Sequence, residues 1–242
     1  MALTGTDVYR DIHRSRKAQR SLEIADRLVA LQPLAIEELA PRLRPKARVI
    51  YQSAETTRAR ASRRNEFFDV CVLGNLRRVK DPLRAAYASW LLPASSKIRV
   101  VQAGAAMEGY MGRQAPAEDL RNPRYRWLGP LPRWRARRLI RSCRLMVLSS
   151  RMEGGANVIS EALVEHTPVL ASRISGSVGL LGKDYPGYFP VGDTKALARL
   201  LFRAESDPRF YRDLKARCSQ MAPRFQPSRE LAAWESQLRE VL

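Results

Sequence analysis

The sequence predicts an α/β protein built on parallel sheets. Short apolar runs alternate with helix-patterned segments along most of the chain. Runs such as "LMVL" and "PVLA" are apolar at every position, as strands covered on both faces are. Glycines and serines gather just after the apolar runs, where such sheets bind ligands: Gly74, Gly104, Gly129, Ser149, Ser150 and Ser172.

The elements follow in order. "ALTG" reads as a strand end. "RKAQRSLEIADR" reads as a helix and "LVALQ" as a strand. "PLAIEELAPRL" is a helix with proline near its start, a tolerated place, and "ARVIYQS" is a β-branched strand. "ETTRARASRRNE" is polar, basic and without apolar periodicity, which marks a linker and a domain boundary. The pattern then restarts. "FFDVCVLGNL" and "KIRVVQAG" are strands ending in glycine, with a helix through "DPLRAAYASWLLP" between them. "YRWLG" is a short strand, "PRWRARRLIRSC" a helix and "RLMVLSS" a strand. "NVISEALVEH", "PVLAS" and "KALARLLFRAESD" are helix, strand and helix. Two more helices lie in "RFYRDLKARCSQM" and "SRELAAWESQLREVL". The glycines of "SGSVGLLG" (Ser175 to Gly182) predict a flexible lip or a plain glycine loop.

Composition narrows the function. The 242 residues are 45% hydrophobic and 28% charged, which suits a globular chain able to bury a core. No apolar run approaches the roughly 20 residues of a membrane span, and "MALTGTDVYR" has no signal-peptide core, so the expected location is cytoplasmic. Three scattered cysteines form neither a metal spacing nor a disulfide framework. The net charge of +19 attracts polyanions. The arginines are spread through many segments, as in "RARASRRNE" and "PRWRARRLIRSCR", and carry no nucleic-acid motif, so a small anionic substrate suits the charge better than nucleic acid.

The chemistry concentrates in "SSRMEGGANVISEAL" (Ser149 to Leu163). A strand delivers the chain, a turn without large side chains exposes backbone N–H groups, and a helix starts near Asn157. Free N–H groups and the helix dipole favour a phosphate there. Glu153 and Glu161 bracket the turn, and a carboxylate accepts from two hydroxyls at once, which suits a ribose or sugar diol. A glycine turn capped by acids would have the same spacing.

"EGGANVISE" resembles the E-x7-E segment of retaining family 4 glycosyltransferases of the GT-B fold. The context is similar: "SS" before it, "EHTPVLAS" and "GYFPVGDTKALARLL" after it, and "VLGNLRRVKDP" in place of the family's glycine–lysine loop. The resemblance covers about residues 66 to 215. "ALTGTDVYRDI", "VIYQSA", "MEGGANVISEA" and "LGKDYPGYFPVGD" add a closer likeness to the selenosugar synthases of selenoneine biosynthesis, which join a UDP-sugar to selenophosphate.

The resemblance implies two Rossmann-like domains with the site between them. A partial acceptor-side domain would span 1–60 and a nucleotide-sugar domain 66–228, with a helix over 229–242 crossing back. The first domain is then truncated, and the chain either loses activity or forms a homodimer. Glu161 would hold the ribose and Glu153 the donor sugar. Gly154, Gly155, Ala156, Asn157 and Val158 would offer backbone to the donor, and Lys80 would hold the diphosphate, with Glu153 and Lys80 the catalytic pair. Gly74 and Asn75 belong to the donor loop. The family's arginine there is Asn75 here, so Arg77 or Arg78 supplies the second charge. Thr4, Gly5, Thr6 and Asp7 stand on the acceptor side, with Arg10 or Arg14 near them for an anionic acceptor such as selenophosphate. No metal and no cofactor is expected, since cationic side chains and the helix N-terminus stand in for a divalent ion. His166 reads as a helix cap and His13 as a surface residue.

Overall fold

In a computed structural model of the protein, residues 1–57 and 66–240 are described. Most of the expected linker, 58–65, lies outside them.

The first sheet has three parallel strands in the order β1 (Ala2–Leu3), β2 (Leu28–Ala30) and β3 (Ala47–Val49). A π-helical turn, Asp7–Asp11, runs from β1 into α1 (Ile12–Arg14) and then α2 (Arg16–Ile24). The Ser15 hydroxyl caps α2 by accepting from Ala18 N–H at 3.3 Å. The helix expected over 33–43 is shorter: α3 covers only Leu34–Glu37, and a 3₁₀ turn occupies Pro41–Lys46. Pro41 is the reason. It lacks an N–H and pushes Ala40 to an extended ψ of 139°, so the helix cannot continue through it. Leu3, Val8, Ile12, Leu22, Leu28 and Leu39 form a small core on this sheet.

The second sheet has six parallel strands. In chain order its elements are β4 (Phe68–Leu73), α4 (Arg84–Ser89), β5 (Ile98–Ala103), α5 (Met111–Arg121), β6 (Tyr125–Trp127), α6 (Arg133–Ser142), β7 (Leu145–Leu148), α7 (Asn157–Val164), β8 (Val169–Ser172), α8 (Ser175–Leu181), β9 (Tyr188–Phe189) and α9 (Thr194–Ser206). The spatial order is β6-β5-β4-β7-β8-β9. Every residue of β7 and β8 is buried, as their unbroken apolar runs require. Asp193 and Asp207 cap α9 and α10 (Pro208–Met221), their carboxylates accepting from backbone N–H groups of the first turns.

Two helices depart from the sequence expectation. "SGSVGLLG" is neither lip nor loop: Ser175–Leu181 is α8, with Leu180 and Leu181 buried. Its glycines serve close packing; a Cβ on Gly176 would lie 2.1 Å from the Glu153 carbonyl oxygen. Helix α5 has no clear sequence signature, because Gly112 and Pro116 interrupt it. Packing secures it, through buried Met111, Ala115 and Glu118. Glu118 accepts from Trp90 Nε1 at 2.7 Å and Asn122 Nδ2 at 2.9 Å.

The two sheets meet at loops. Helix α8 lies against α3. A Cβ on Gly154 would fall 0.9 Å from the Thr4 carbonyl oxygen, so only glycine fits between them. Helix α11 (Pro227–Arg239) returns past the first sheet: Glu230 accepts from Ser53 N–H at 2.7 Å, and Glu240 pairs with Arg48 at 3.3 Å and Arg27 at 3.4 Å. No described helix is long and apolar enough to cross a membrane. Gly154→Ala is expected to cost about 1–3 kcal/mol, seen as a lower urea midpoint of unfolding. An unchanged midpoint would mean the Thr4 contact is not maintained in solution.

Candidate active site

Strand β4 lies between β5 and β7, so the order of connections reverses there. The crevice beyond the strand ends at such a point is where open parallel sheets bind ligands. The loops after β4 and β7 line it and are tied together. Arg151 N–H donates to the Val79 carbonyl at 2.8 Å, and the Ser149 hydroxyl donates to the Asp81 carbonyl at 2.8 Å. Asp81 sits in the left-handed region at φ 45°, and its carboxylate accepts from Arg84 Nε at 3.0 Å. These bonds hold the crevice floor rigid across the two strand ends.

One hollow of about 250 Å³ lies between Gly74, Asn75, Gly104, Leu131, Val158 and Glu161. The Glu161 side chain is 14% exposed and accepts no hydrogen bond from the described residues. Burial raises its pKa, and the opposing charges of Arg137 and Arg133 only partly offset that. A desolvated carboxylate facing a hollow is poised to accept from hydroxyls. Asn75, expected in the donor loop, ties that loop: its Oδ1 accepts from Ala105 N–H at 3.2 Å.

A second hollow, of about 260 Å³, lies on the other side of the Glu153 turn and joins the two sheets. Thr4, Gly5, Thr6, Arg77, Lys80, Glu153, Gly154 and Gly155 line it. Lys80 Nζ donates to Glu153 Oε1 at 2.5 Å, and the Ser150 hydroxyl donates to the same oxygen at 2.6 Å. Lys80 thus has a fixed direction before any ligand arrives. Both Arg77 and Arg78 are exposed, but Arg77 lines this hollow beside Lys80, whereas Arg78 gives its backbone N–H to Glu108 at 2.8 Å. Ala156 is buried in the core, and Asn157 opens α7 with its Oδ1 buried and unpaired.

Some expected contacts fall elsewhere. The Asp7 carboxylate is engaged by its own turn; it accepts from the N–H groups of Thr4 at 2.8 Å, Gly5 at 2.6 Å and Val8 at 3.1 Å, because a turn with free N–H groups takes the nearest acceptor. Arg10 pairs with neighbouring Asp11 at 3.0 Å, and Arg14 is exposed. His13 pairs with Glu38 at 3.4 Å in a separate hollow. His166 takes φ 53° just beyond α7, the left-handed geometry of a helix end. A third hollow of about 280 Å³, between Tyr9, Arg151, Glu153, Arg173 and Ser175, extends the cleft along α8. Burial, together with the charge of Glu38, pushes the Tyr9 hydroxyl up to about 12, so it stays protonated at neutral pH.

Behind Glu161 lies an ion network that sequence reading missed. Glu165 has no exposed side-chain surface. Its oxygens accept from Arg137 at 2.9 Å, Arg141 at 3.1 Å, and the N–H and hydroxyl of Thr57 at 2.8 and 2.5 Å. Arg137 also donates to the Glu55 carbonyl. In the sequence these arginines look like part of a scattered basic background; the i, i+4 spacing of Arg137 and Arg141 on one helix was the available signal. Burial raises the Glu165 pKa, but the Thr57 and arginine bonds outweigh it and hold the group below its ordinary 4.5. A depressed carboxylate pKa stabilises the fold above the ordinary value, and that contribution is lost as pH falls through the folded value. Denaturant unfolding from pH 7 down past 4.5 should show that loss. Glu165→Ala should cost about 3–5 kcal/mol at pH 7 by stranding Arg137 and should flatten the acid slope. A variant as stable as the parent would show that the network is not formed.

Known proteins share this architecture. Residues 53–224 match the glycosyl transferases group 1 family. The Anabaena protein HepE, in complex with UDP and glucose, superposes with a TM-score of 0.80 at 17% identity, over 98% of this chain and 70% of HepE. The pneumococcal O-GlcNAc transferase GtfA, with UDP and GlcNAc, superposes at 0.75 with 14% identity, over 99% of this chain and 52% of GtfA. Sucrose-phosphate synthase from Thermosynechococcus elongatus superposes at 0.70 with 18% identity, over 98% of this chain and 64% of that enzyme. Two parallel α/β sheets facing each other across a cleft are the fold these glycosyltransferases share, GT-B, and the chain belongs to the glycosyl transferases group 1 family.

Proposed function

We propose that the chain binds a UDP-sugar across the Glu153–Glu161 turn and transfers the sugar to an anionic acceptor, with selenophosphate the candidate. The observation that carries the donor half is Glu161: a nearly buried carboxylate that accepts no hydrogen bond from the described residues, lining a hollow at the sheet's switch point. A ribose diol supplies the two donors it lacks. The diphosphate then runs along the turn toward Lys80 and Arg77, the cations of the second hollow. Negative charge grows on the leaving UDP as its bond to the sugar breaks, and a preset ammonium stabilises it there. Glu153, held by Lys80 and Ser150, lies on the sugar side. HepE and GtfA, both seen with UDP, support the choice of nucleotide.

The acceptor half rests on charge and on the closer sequence likeness. Arg151 and Arg173 line the third hollow next to Glu153, and an anion is the ligand they favour. In the transfer, selenium attacks the anomeric carbon, the carbon–oxygen bond to UDP breaks, and UDP leaves with the electron pair.

Incubation with UDP-sugars, with and without selenophosphate, tests this by mass spectrometry of released UDP. Release only with selenophosphate is expected. Release with hydroxyl acceptors alone would overturn the acceptor, and absence of UDP binding would overturn the donor reading as well. Glu161→Ala should weaken UDP binding by about 1.5–3 kcal/mol, roughly 10- to 150-fold by calorimetry. Because burial raises the Glu161 pKa, UDP affinity should begin to fall on acidification while the pH is still above 4.5. Lys80→Ala should lower kcat by about 10²- to 10³-fold, read as single-turnover UDP release.

A further inference from the structure

Arg137 lies between two acids. Its Nη2 donates to Glu165 at 2.9 Å, and its Nη1 stands 3.8 Å from Glu161 Oε1. The residue is 6% exposed and its Nε has no hydrogen-bond partner. The guanidinium is also held by the Glu55 carbonyl, while Thr57 and Arg141 occupy the rest of Glu165. Glu55 and Thr57 belong to the stretch that leads out of the first sheet, so three pieces of chain converge on one cation: α6, α7 and the connection between the sheets.

We infer that Arg137 is a positioning residue for nucleotide binding: clamped by the Glu55–Thr57 connection and Glu165, it keeps the Glu161 carboxylate ionised and aimed at the hollow. This rests on the reading that Glu161 takes the ribose. The charged groups around Glu161 are few. Arg137 and Arg133 on α6 favour its ionised form, and Glu165, just past the end of its own helix, opposes it. Of the two arginines, only Arg137 forms an ion pair with it. At 3.8 Å that pair is too long for a hydrogen bond, so Arg137 acts through its field and leaves both carboxylate oxygens free for hydroxyls. Without that cation, a carboxylate as desolvated as this one would take up a proton more readily and lose acceptor capacity. The connection between the sheets thereby contributes to nucleotide affinity without touching the nucleotide.

The test is UDP affinity by calorimetry between pH 5 and 8, for the parent and three variants. Glu161→Gln checks the underlying reading: if it binds UDP like the parent, the ribose assignment fails, and this inference with it. Given weakened binding there, Arg137→Lys should keep most of the affinity, because the charge remains. Removing Arg137 alone leaves the buried Glu165 with Arg141 as its one remaining ion-pair partner among the described residues, so the informative variant is Arg137→Met with Glu165→Gln, which takes out cation and counter-charge together. Its UDP affinity should drop about ten-fold at pH 5, ~1.4 kcal/mol. Its acid limb should move to higher pH, while its affinity at pH 8 approaches the parent's. A stable double variant with the parent's pH profile would overturn the inference. So would a loss of affinity equal at every pH, since that marks a structural effect alone.

Discussion

Thr4 and Gly154 approach each other backbone to backbone, and the cleft is organised by that approach. A side chain at position 154 would collide with the Thr4 carbonyl oxygen, and one at Gly176 would collide with the carbonyl of Glu153. The turn carrying the first site glutamate is therefore gripped from both sides, by the β1 loop and by α8. Its small residues look, in the sequence, like an arrangement for laying a ligand against bare backbone. The structure adds a second reason, since the same residues let two sheets touch where the hollow forms. The two demands are compatible because a glycine turn that accepts a neighbouring backbone on one face still presents N–H groups on the other.

Charge is distributed with similar economy. The chain carries +19, yet few of its cations reach the crevice. Lys80 and Arg77 line the second hollow, and Arg151 and Arg173 the third. Arg137 and Arg141 are spent on a buried carboxylate. Pairing decides which cations are available: Lys80 rests on Glu153 at a part-exposed surface, where an incoming anion can compete for it, whereas Arg137 is shut in and serves its neighbours. A ligand's approach changes the first arrangement and leaves the second intact.

Much of this was legible in the chain. Strand β7, the glycine turn and helix α7 follow from an apolar run, small residues and a helical pattern, all local signals. The placement of Glu161 at a hollow follows from the strand-end rule for parallel sheets. Other features were not legible for equally physical reasons. Helix α5 contains Gly112 and Pro116, which local propensity counts against a helix, and burial of Met111 and Ala115 outweighs that. Asp7 looked free for the cleft because its three backbone partners exist only once the turn has formed. Arg137 and Glu165 stand 28 positions apart, and nothing in either segment announces the other.

The sequence by itself determined the fold class, most of the order of strands and helices apart from α5 and α8, and the acids and lysine of the candidate site. These depend on periodicity and on short segments, which act over a few residues. Tertiary structure decided what each group has left to offer. It committed Asp7 to its own turn, gave Lys80 a resting partner in Glu153, and left Glu161 desolvated beside a hollow with no hydrogen bond from the described residues. Free valence in a side chain is what remains after every neighbour has taken its share, and the neighbours are known only when the chain has closed on itself.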